Sequence, residues 1–262
     1  MASDNSSTGN GWFKKIANRN VVETIVFFVA IGLLWEFGVK WFEVKSYLLA
    51  PPSAILVELW ESRVVLAENS WITFTEVFWG FCLAVVIGVP VATLVFFSSL
   101  AKRTVYPFLI ALQSIPKIGL APIIVIWFGY GLSSKVIVAF LFAFFPIVIA
   151  TIGGLGSTPA HLEEHFRALR ATRMQTFWRL RVPSALPNFI DGCKVAMPLA
   201  VIGAVVGEFV GSNDGLGNLI LTATGAGNTT LTFAALLTVT LLSLVLFYAV
   251  EYWEKFIWWR AA

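Results

Sequence analysis

Six long apolar segments constrain the fold of this chain more than any other feature of its sequence. They cover residues 21–39, 71–97, 105–130, 136–155, 189–210 and 231–247. A helix needs about 20 mainly apolar residues to cross the hydrocarbon core of a bilayer. Of the 262 residues, 58% are hydrophobic and only 13% are charged, whereas about 25% are charged in an ordinary soluble domain. The sequence therefore predicts an all-α membrane protein with about six transmembrane helices.

Basic residues outside these segments predict how the chain lies in the membrane, because cytoplasmic loops are enriched in Lys and Arg. The residues assigned to that side are Lys14, Lys15, Arg19, Lys102, Arg103, Arg167, Arg170, Arg173, Arg179, Arg181, Lys255 and Arg260. Those left outside are Lys40, Lys45, Arg63 and Lys135. Both termini are thus expected in the cytoplasm, with residues 1–20 as a tail, 21–258 as one transmembrane domain and 259–262 as the C-terminal end. Segment 51–68 is expected to form a helix along the outer surface.

The cytoplasmic loop at residues 157–187 carries five arginines. Thr158 followed by Pro159 predicts an N-cap and the first residue of a helix, which is expected to run to about Leu169. The net charge of the chain is only +3, so these arginines do not indicate a nucleic-acid partner.

A second helix is expected in the same loop. Thr172 with Gln175 three residues later is typical of a capping box, and Pro183 and Pro187 are expected to end the helix because proline interrupts helical hydrogen bonding. A structured basic loop between two spans has two interpretations. It contacts anionic membrane lipid, or it is a docking site for a cytoplasmic protein.

Polar groups within the third apolar segment indicate a solute pathway. Gln113 and Lys117 are four residues apart, so they are expected on one helical face. Pro116 and Pro122 are expected to break this span and to free backbone carbonyls. Broken spans line solute sites in transporters. The alternative is that Lys117 pairs with a fixed carboxylate and only holds helices together.

Glu76 and Glu208 are the candidate partners of Lys117, and ionisable groups inside spans are usually functional. Glu208 is interpreted either as part of a gate or as a solvated carboxylate at the outer end of its span. Asp191 and Lys194, three residues apart, are interpreted as a local ion pair rather than a solute contact.

Glycines repeat every fourth residue at Gly203, Gly207, Gly211 and Gly215. Such a small-residue face allows helices to approach closely. Two interpretations stay open: packing within one chain, or a face shared with a second copy or the pathway.

Two alternatives from other functional classes are weaker. His161 and His165 with Glu164 match the H-x-x-E-H pattern of some zinc proteases, but no third metal ligand is evident. A secondary transporter, working without an ATPase, is the other alternative. The sequence contains no Gly-Lys pair, so it lacks the P-loop that binds a nucleotide, and no cofactor or metal is expected in this chain.

The stretch from Glu164 to Pro183 resembles the cytoplasmic signature of permeases of binding-protein-dependent ABC importers. That signature reads Glu-Ala-Ala, three residues, Gly, nine residues and Ile-x-Leu-Pro, and Ala171, Phe177 and Leu180 stand in register with it. Two departures occur: His165-Phe166 replaces the Ala-Ala pair, and Arg170 replaces the glycine, which in such a turn adopts a left-handed conformation.

The resemblance covers most of the chain and is strongest to the nitrate, sulfonate, taurine and vitamin-precursor branch. It rests on the stretches LLAPPSAILVELW, EVFWGFCLAVVIGVPVA, LQSIPKIGLAPIIVIWFGYG and VIGAVVGEFVGSNDGLGNLI. It implies a non-catalytic subunit of the inner membrane with the type I importer fold. Its implied partners are a second copy, two ATPase subunits that bind ATP and Mg, and an extracytoplasmic binding protein. The residues implied to couple to the ATPase are Glu164, Leu169, Arg170, Ala171, Phe177 and Pro183.

Overall fold

The computed structural model describes the backbone of residues 9–45 and 47–255, and side chains from Glu23 onward within these ranges except that of Ile25. The first eight residues of the expected tail, the side chains of Lys14, Lys15, Arg19 and Arg260, and the end 259–262 lie outside the described residues. The helices are α1 (Gly9–Trp41), α2 (Pro52–Glu61), α3 (Arg63–Phe97), α4 (Ser99–Gln113), α5 (Ala121–Phe128), α6 (Leu132–Gly156), α7 (Ala160–Ala168), α8 (Arg173–Thr176), α9 (Val182–Gly211), α10 (Leu216–Gly225) and α11 (Thr229–Glu254). No strand occurs in the described part, as expected.

Four helical stretches of the described residues are long and apolar enough to cross a membrane: α3, α6, α8 with α9, and α11. The helix α4 and the following segment 117–128 meet at an angle of 89°, and together they are apolar enough to form a fifth, broken span or a re-entrant loop. The first predicted span falls within α1. The prediction of an all-α membrane protein is thus confirmed, and so is the break in the third span.

The core of the molecule is α6, which α3 and α9 flank closely. A Cβ added at Gly80 of α3 would lie 2.6 Å from the Cβ of Ala139 on α6, and one added at Gly203 of α9 would lie 2.8 Å from the Cα of Ala139. Both distances are shorter than any real carbon contact, so only glycine allows these three helices to approach so closely.

The glycine repeat faces the same chain. Gly207 lies against Lys135 of α6, and Gly211 lies against Val125 of α5. Gly215 is not part of this face, because α9 ends at Gly211 and Gly215 stands in the following loop with a φ of 99°.

The prolines Pro183 and Pro187 do not end the second loop helix, and this prediction is wrong. A π-helical turn at Phe177–Arg181 joins α8 directly to α9, so one helix continues from Arg173 to Gly211. Pro183 stands in the first turn of α9, directly after the π-helical turn. The wider turn before it makes room for the ring, as π-bulges do.

Two further boundaries differ from the sequence prediction. The outer helix expected at 51–68 ends at Glu61, because Ser62 starts the longer α3. The short apolar helix α10 was not predicted at all. It lies between the last two spans and packs against α11 and α9.

Candidate functional site

The first loop helix ends in a tight turn at Arg170, whose φ of 55° is left-handed. The N–H of Arg170 donates to the carbonyl of Arg167, and the N–H of Ala171 donates to that of Phe166, both at 3.0 Å. This is the Schellman pattern that usually ends in glycine. Arg170 thus adopts the left-handed conformation that glycine takes in such a turn, and an arginine there costs about 1 kcal/mol relative to glycine.

The loop is held against the ends of two spans by Arg181. Its guanidinium lies 2.9 Å from Glu163 of α7, donates to the carbonyl of Leu155 at 3.1 Å and stacks over Phe96 at 4.7 Å. Glu163, not Glu164, therefore holds an arginine of this chain, and Glu164 is exposed. Neither Glu163 nor Arg181 stood out in the sequence, because the register to the family signature points at the neighbouring residue.

Phe177 anchors the loop to the ends of α3, α6 and α9. It is buried, its ring lies 4.7 Å from that of Phe97, and it packs with Leu155 and Ala185. The capping box of Thr172 is confirmed, whereas the N-cap predicted at Thr158 for the first helix is wrong. Pro159 takes the N-cap position, and Thr158 is a buried residue whose hydroxyl has no partner among the described residues.

The remaining residues implied in ATPase coupling lie on the surface of this anchored loop. Leu169 and Arg170 are exposed, and Ala171 and Pro183 are half-buried. A cleft of about 460 Å³ opens beside Ala171, lined also by Phe97 and Arg167. The loop thus presents the apolar Leu169 and Ala171 on either side of Arg170, at the cytoplasmic end of the predicted topology.

The broken span places Gln113 and Lys117 differently from the prediction. Gln113 is the last residue of α4, and Lys117 begins a separate 3₁₀ turn at Lys117–Leu120, so they do not share one helical face. The Lys117 ammonium lies 4.8 Å from the ring of Phe145 and 5.6 Å from that of Phe142, both on α6. No described carboxylate pairs with it, so the alternative in which Lys117 pairs with Glu76 or Glu208 does not hold within one chain.

An open groove of about 590 Å³ runs along α6 and α9 next to the break. Three polar side chains line it: Gln113 at the end of α4, and Asn188 and Asp191 on α9. Lys194 is an ion-pair partner of Asp191 at 3.5 Å, but its closer partner is Glu254 of α11. The predicted Asp191–Lys194 pair is therefore one part of a three-residue ionic cluster.

A second polar cluster is buried between α3, α9 and α10. Glu76 and Glu208 are each 1% exposed and lie beside one another, with Lys135 acting on both. Thr73 donates to Glu208 at 2.6 Å. The interpretation of Glu208 as a solvated carboxylate is wrong because the side chain is buried, and Glu76 Oε2 has no partner in the described part of the chain.

This cluster holds the first turn of α10 by its backbone. The N–H of Gly215 donates to Asn69 at 2.7 Å, that of Leu216 to Thr73 at 2.9 Å, and that of Gly217 to Glu208. The first N–H groups of a helix have no partner within the helix. Side chains of α3 and α9 supply those partners, so these three helices are fixed to each other here.

A catalytic metal site is not evident in the described residues. No group of three or more His, Cys, Asp or Glu side chains is placed there to hold a metal ion. His161 and His165 are exposed on α7, and the metalloprotease interpretation has no third ligand to draw on.

Known proteins with similar sequences are transport permeases. The chain is 42% identical over 199 residues to the formylaminopyrimidine transport permease protein ThiX of Halalkalibacterium halodurans, covering 75% of this chain and 78% of that protein. It is 34% identical over 217 residues to the riboflavin transport system permease protein RibX of Chloroflexus aurantiacus, covering 82% and 81%. Other relatives are named as permeases for aliphatic sulfonates, taurine and nitrate.

The fold is that of a solved importer. A chain of the MetNI methionine ABC transporter in inward-facing conformations superposes with a TM-score of 0.66 at 23% identity, covering 75% of this chain and 98% of that chain. The type I importer fold is therefore shown. Residues 80–259 match the family of binding-protein-dependent transport system inner membrane components. The chain belongs to this family, as a multi-pass, non-catalytic permease component of an ABC importer whose ATPase is a separate subunit.

Proposed function

We propose that two copies of this chain form the pathway for a small vitamin-precursor-like solute, of the aminopyrimidine kind. The observation that carries the pathway is the polar groove beside the broken span. Gln113, Asn188 and Asp191 open onto it at the level of the spans, and polar groups there are costly against lipid. In the proposed dimer, a second copy of the chain and the bound solute surround these polar side chains in place of lipid. The 42% identity to a formylaminopyrimidine permease supports the solute class.

The loop at 157–187 is proposed as the docking site for the ATPase. Its turn at Arg170–Ala171 is exposed, while Arg181 and Phe177 fix its base to α3, α6 and α9. A displacement of the turn is therefore transmitted to the spans with little deformation of the loop itself. Both termini are proposed to lie on the same side as this loop, and a binding protein is proposed to deliver the solute at the opposite face.

The buried cluster of Glu76 and Glu208 is proposed as part of the outer gate. It joins α3, α9 and α10 at the end of the molecule opposite the loop. When the pathway opens outward, these three helices either separate at this cluster or move together with it. Gly203, Gly207 and Gly211 pack α9 against its own chain and keep that helix rigid.

Uptake into proteoliposomes tests the proposal. The permease is reconstituted with its cognate ATPase subunits and binding protein, and radiolabelled formylaminopyrimidine, taurine and nitrate are offered separately. We expect uptake of formylaminopyrimidine only when ATP is present on the side of the membrane that carries the ATPase subunits. Uptake should stop when a non-hydrolysable analogue replaces ATP. Uptake without ATP would favour a secondary transporter, and uptake of taurine or nitrate alone would reassign the solute.

A further inference from the structure

The cleft beside Ala171 has more positive than negative groups around it. Arg167, Arg173 and Arg181 line it, and Glu163 is the one carboxylate among its described lining residues. Glu163 is paired with Arg181 at 2.9 Å, and no described carboxylate pairs with Arg167 or Arg173. These two guanidinium groups belong to exposed residues, so the cleft presents a net positive charge to a ligand.

An apolar cavity adjoins this cleft. The two share Phe177, which lines the cleft and also a cavity of about 390 Å³ between α3, α6 and α9. The hydroxyl groups that line the cavity belong to Thr93 and Thr151, and they donate to the carbonyls of Val89 and Ile147 on their own helices. The cavity therefore offers little hydrogen bonding to a polar solute and is suited to a hydrocarbon chain.

The apolar surface continues along α3 and α9. A second apolar cavity of about 680 Å³ shares Leu186 and Phe189 of α9 with the first. On α3, residues that line the cleft and the two cavities follow each other at steps of three or four: Cys82, Val85, Val89, Thr93 and Phe97. This spacing places them on one face of the helix. The two cavities thus form one apolar track, the α3–α9 groove, which begins at the basic cleft.

The first part of this groove is as long as one leaflet is deep. The helical steps from Phe97 to Val85 span roughly 18 Å at about 1.5 Å per residue, and half of the hydrocarbon core of a bilayer is about 15 Å thick. The cleft stands at the last residues of α3, where the span meets the loop. A ligand that fills both parts therefore has an anionic group at one end and a hydrocarbon chain at the other.

We infer that the cleft and the α3–α9 groove bind one anionic phospholipid from the leaflet next to the loop. Its phosphate lies between Arg167 and Arg173, because guanidinium groups bind phosphate oxygens with paired hydrogen bonds. An acyl chain lies along the groove against Trp178. A zwitterionic headgroup would add a cation to a cleft that is already positive, so an anionic lipid is favoured.

This lipid site goes beyond the proposed solute pathway. None of its lining residues belongs to the groove between α6 and α9 that is proposed for the solute. A free phosphate ion would occupy the cleft alone and would leave the α3–α9 groove empty. The two sources of phosphate are therefore distinguished by a probe that reports on the groove.

Quenching of Trp178 fluorescence by brominated lipids is that probe. The complete transporter is delipidated in detergent and titrated with phosphatidylglycerol or phosphatidylcholine that carries bromine on its acyl chains. The signal of Trp178 is the difference between wild type and Trp178→Phe, which should fold because the residue is 63% exposed. We expect saturable quenching by phosphatidylglycerol at roughly ten-fold lower concentration than by phosphatidylcholine. Inorganic phosphate alone should not change the signal.

Variants with matched controls separate the headgroup site from the groove. Replacing both arginines, by Arg167→Gln and Arg173→Gln, should weaken phosphatidylglycerol binding roughly 25-fold, because each basic side chain near a membrane surface contributes about five-fold. Arg179→Gln removes the same charge from an exposed residue that does not line the cleft, and it should leave binding unchanged. Thr93→Phe fills the groove and should weaken both lipids, whereas Leu94→Phe, exposed beside it, should weaken neither.

Each part of the inference can fail separately. Equal affinity for the two lipids, or full affinity in the double arginine variant, would overturn the headgroup site. Quenching that Thr93→Phe leaves unchanged would overturn the groove as the site of the acyl chain. Absence of quenching at Trp178 by either lipid, in a transporter with a normal unfolding midpoint, would overturn the lipid altogether and leave a protein segment as the occupant of the groove.

Discussion

At Gly217, one added methyl group would disturb the joint between α3, α9 and α10. The Gly217 N–H donates to the Glu208 carboxylate. A Cβ at this position would lie 2.7 Å from Glu208 Oε2, 2.8 Å from the carbonyl of Val205 and 3.0 Å from the Glu208 Cβ. Val205 O belongs to the backbone of α9, which is packed against α6 and cannot move alone. Gly217→Ala must therefore push α10 away from α9.

The expected cost follows from overpacking. Forcing an extra carbon into a well-packed site costs about 1–3 kcal/mol, and weakening a buried hydrogen bond to a charged group adds about 1–2 kcal/mol. Alanine returns up to about 1 kcal/mol because it favours helix over glycine. The net loss of stability is thus about 2–4 kcal/mol at the joint.

Gly225 offers a matched control on the same helix. It is the last residue of α10, and nothing lies within 4 Å of a Cβ added there. Gly225→Ala carries the same chemical change without the contact, so it should be neutral or slightly stabilising.

Thermal unfolding of the purified protein in detergent is the assay, followed by tryptophan fluorescence. At about 2–4 °C per kcal/mol for a chain of this size, Gly217→Ala should lower the midpoint by roughly 5–10 °C, and Gly225→Ala should not. Equal midpoints for the two variants would refute the reasoning, because the contact with Glu208 and Val205 would then have no energetic weight.

Three further predictions address the loop and the topology. Arg181→Ala removes the ion pair and carbonyl contact that hold the loop, so chymotrypsin should cleave the loop roughly ten-fold faster, whereas the exposed Arg179→Ala should leave the rate near wild type; equal rates would contradict the anchoring. Ala171→Asp places a charge in the proposed ATPase contact, at a cost of several kcal/mol if it is unpaired, so recovery of the ATPase in a pull-down should fall while permease expression is unchanged; full recovery would place the docking surface elsewhere. Asn228→Cys, in a background without native cysteines, should react with an impermeant reagent from outside intact cells, and reaction from the inside only would reverse the proposed orientation.

Local patterns in the sequence were sufficient for the long apolar helices and for the capping box in the loop. Apolar length identified α6 and α11, and the capping box at Thr172 is formed by residues three apart. The register with the family signature placed a tight turn at Arg170 but left its conformation open because the glycine is missing, and the structure shows that it is left-handed. Each of these features depends on residues close together in the chain, and such features are readable without tertiary structure.

Long-range contacts were not readable in the same way. Thr73 and Leu216, which meet at the start of α10, are 143 residues apart. The sequence around either residue does not indicate a contact with the other. The ion pair of Arg181 was missed because two adjacent glutamates are equivalent by sequence, and only the rotation of α7 distinguishes them. α10 was missed because ten residues are too short for a span and Gly225 and Gly227 make its surroundings look like a loop.

The continuity of α8, the π-turn and α9 explains how these sites can act together. The stretch from Arg173 to Gly211 is one helix of 39 residues, which is roughly 58 Å long at 1.5 Å per residue. It begins beside the proposed docking turn, carries Asp191 in the groove and ends near Glu208 at the joint with α3 and α10. At Gly203 the helix lies directly against α6, with no room for a side chain between the two backbones. We therefore expect α6 and α9 to tilt as one body. We therefore propose that a displacement of the loop changes the groove and this joint in the same motion, without a separate relay of side chains between them.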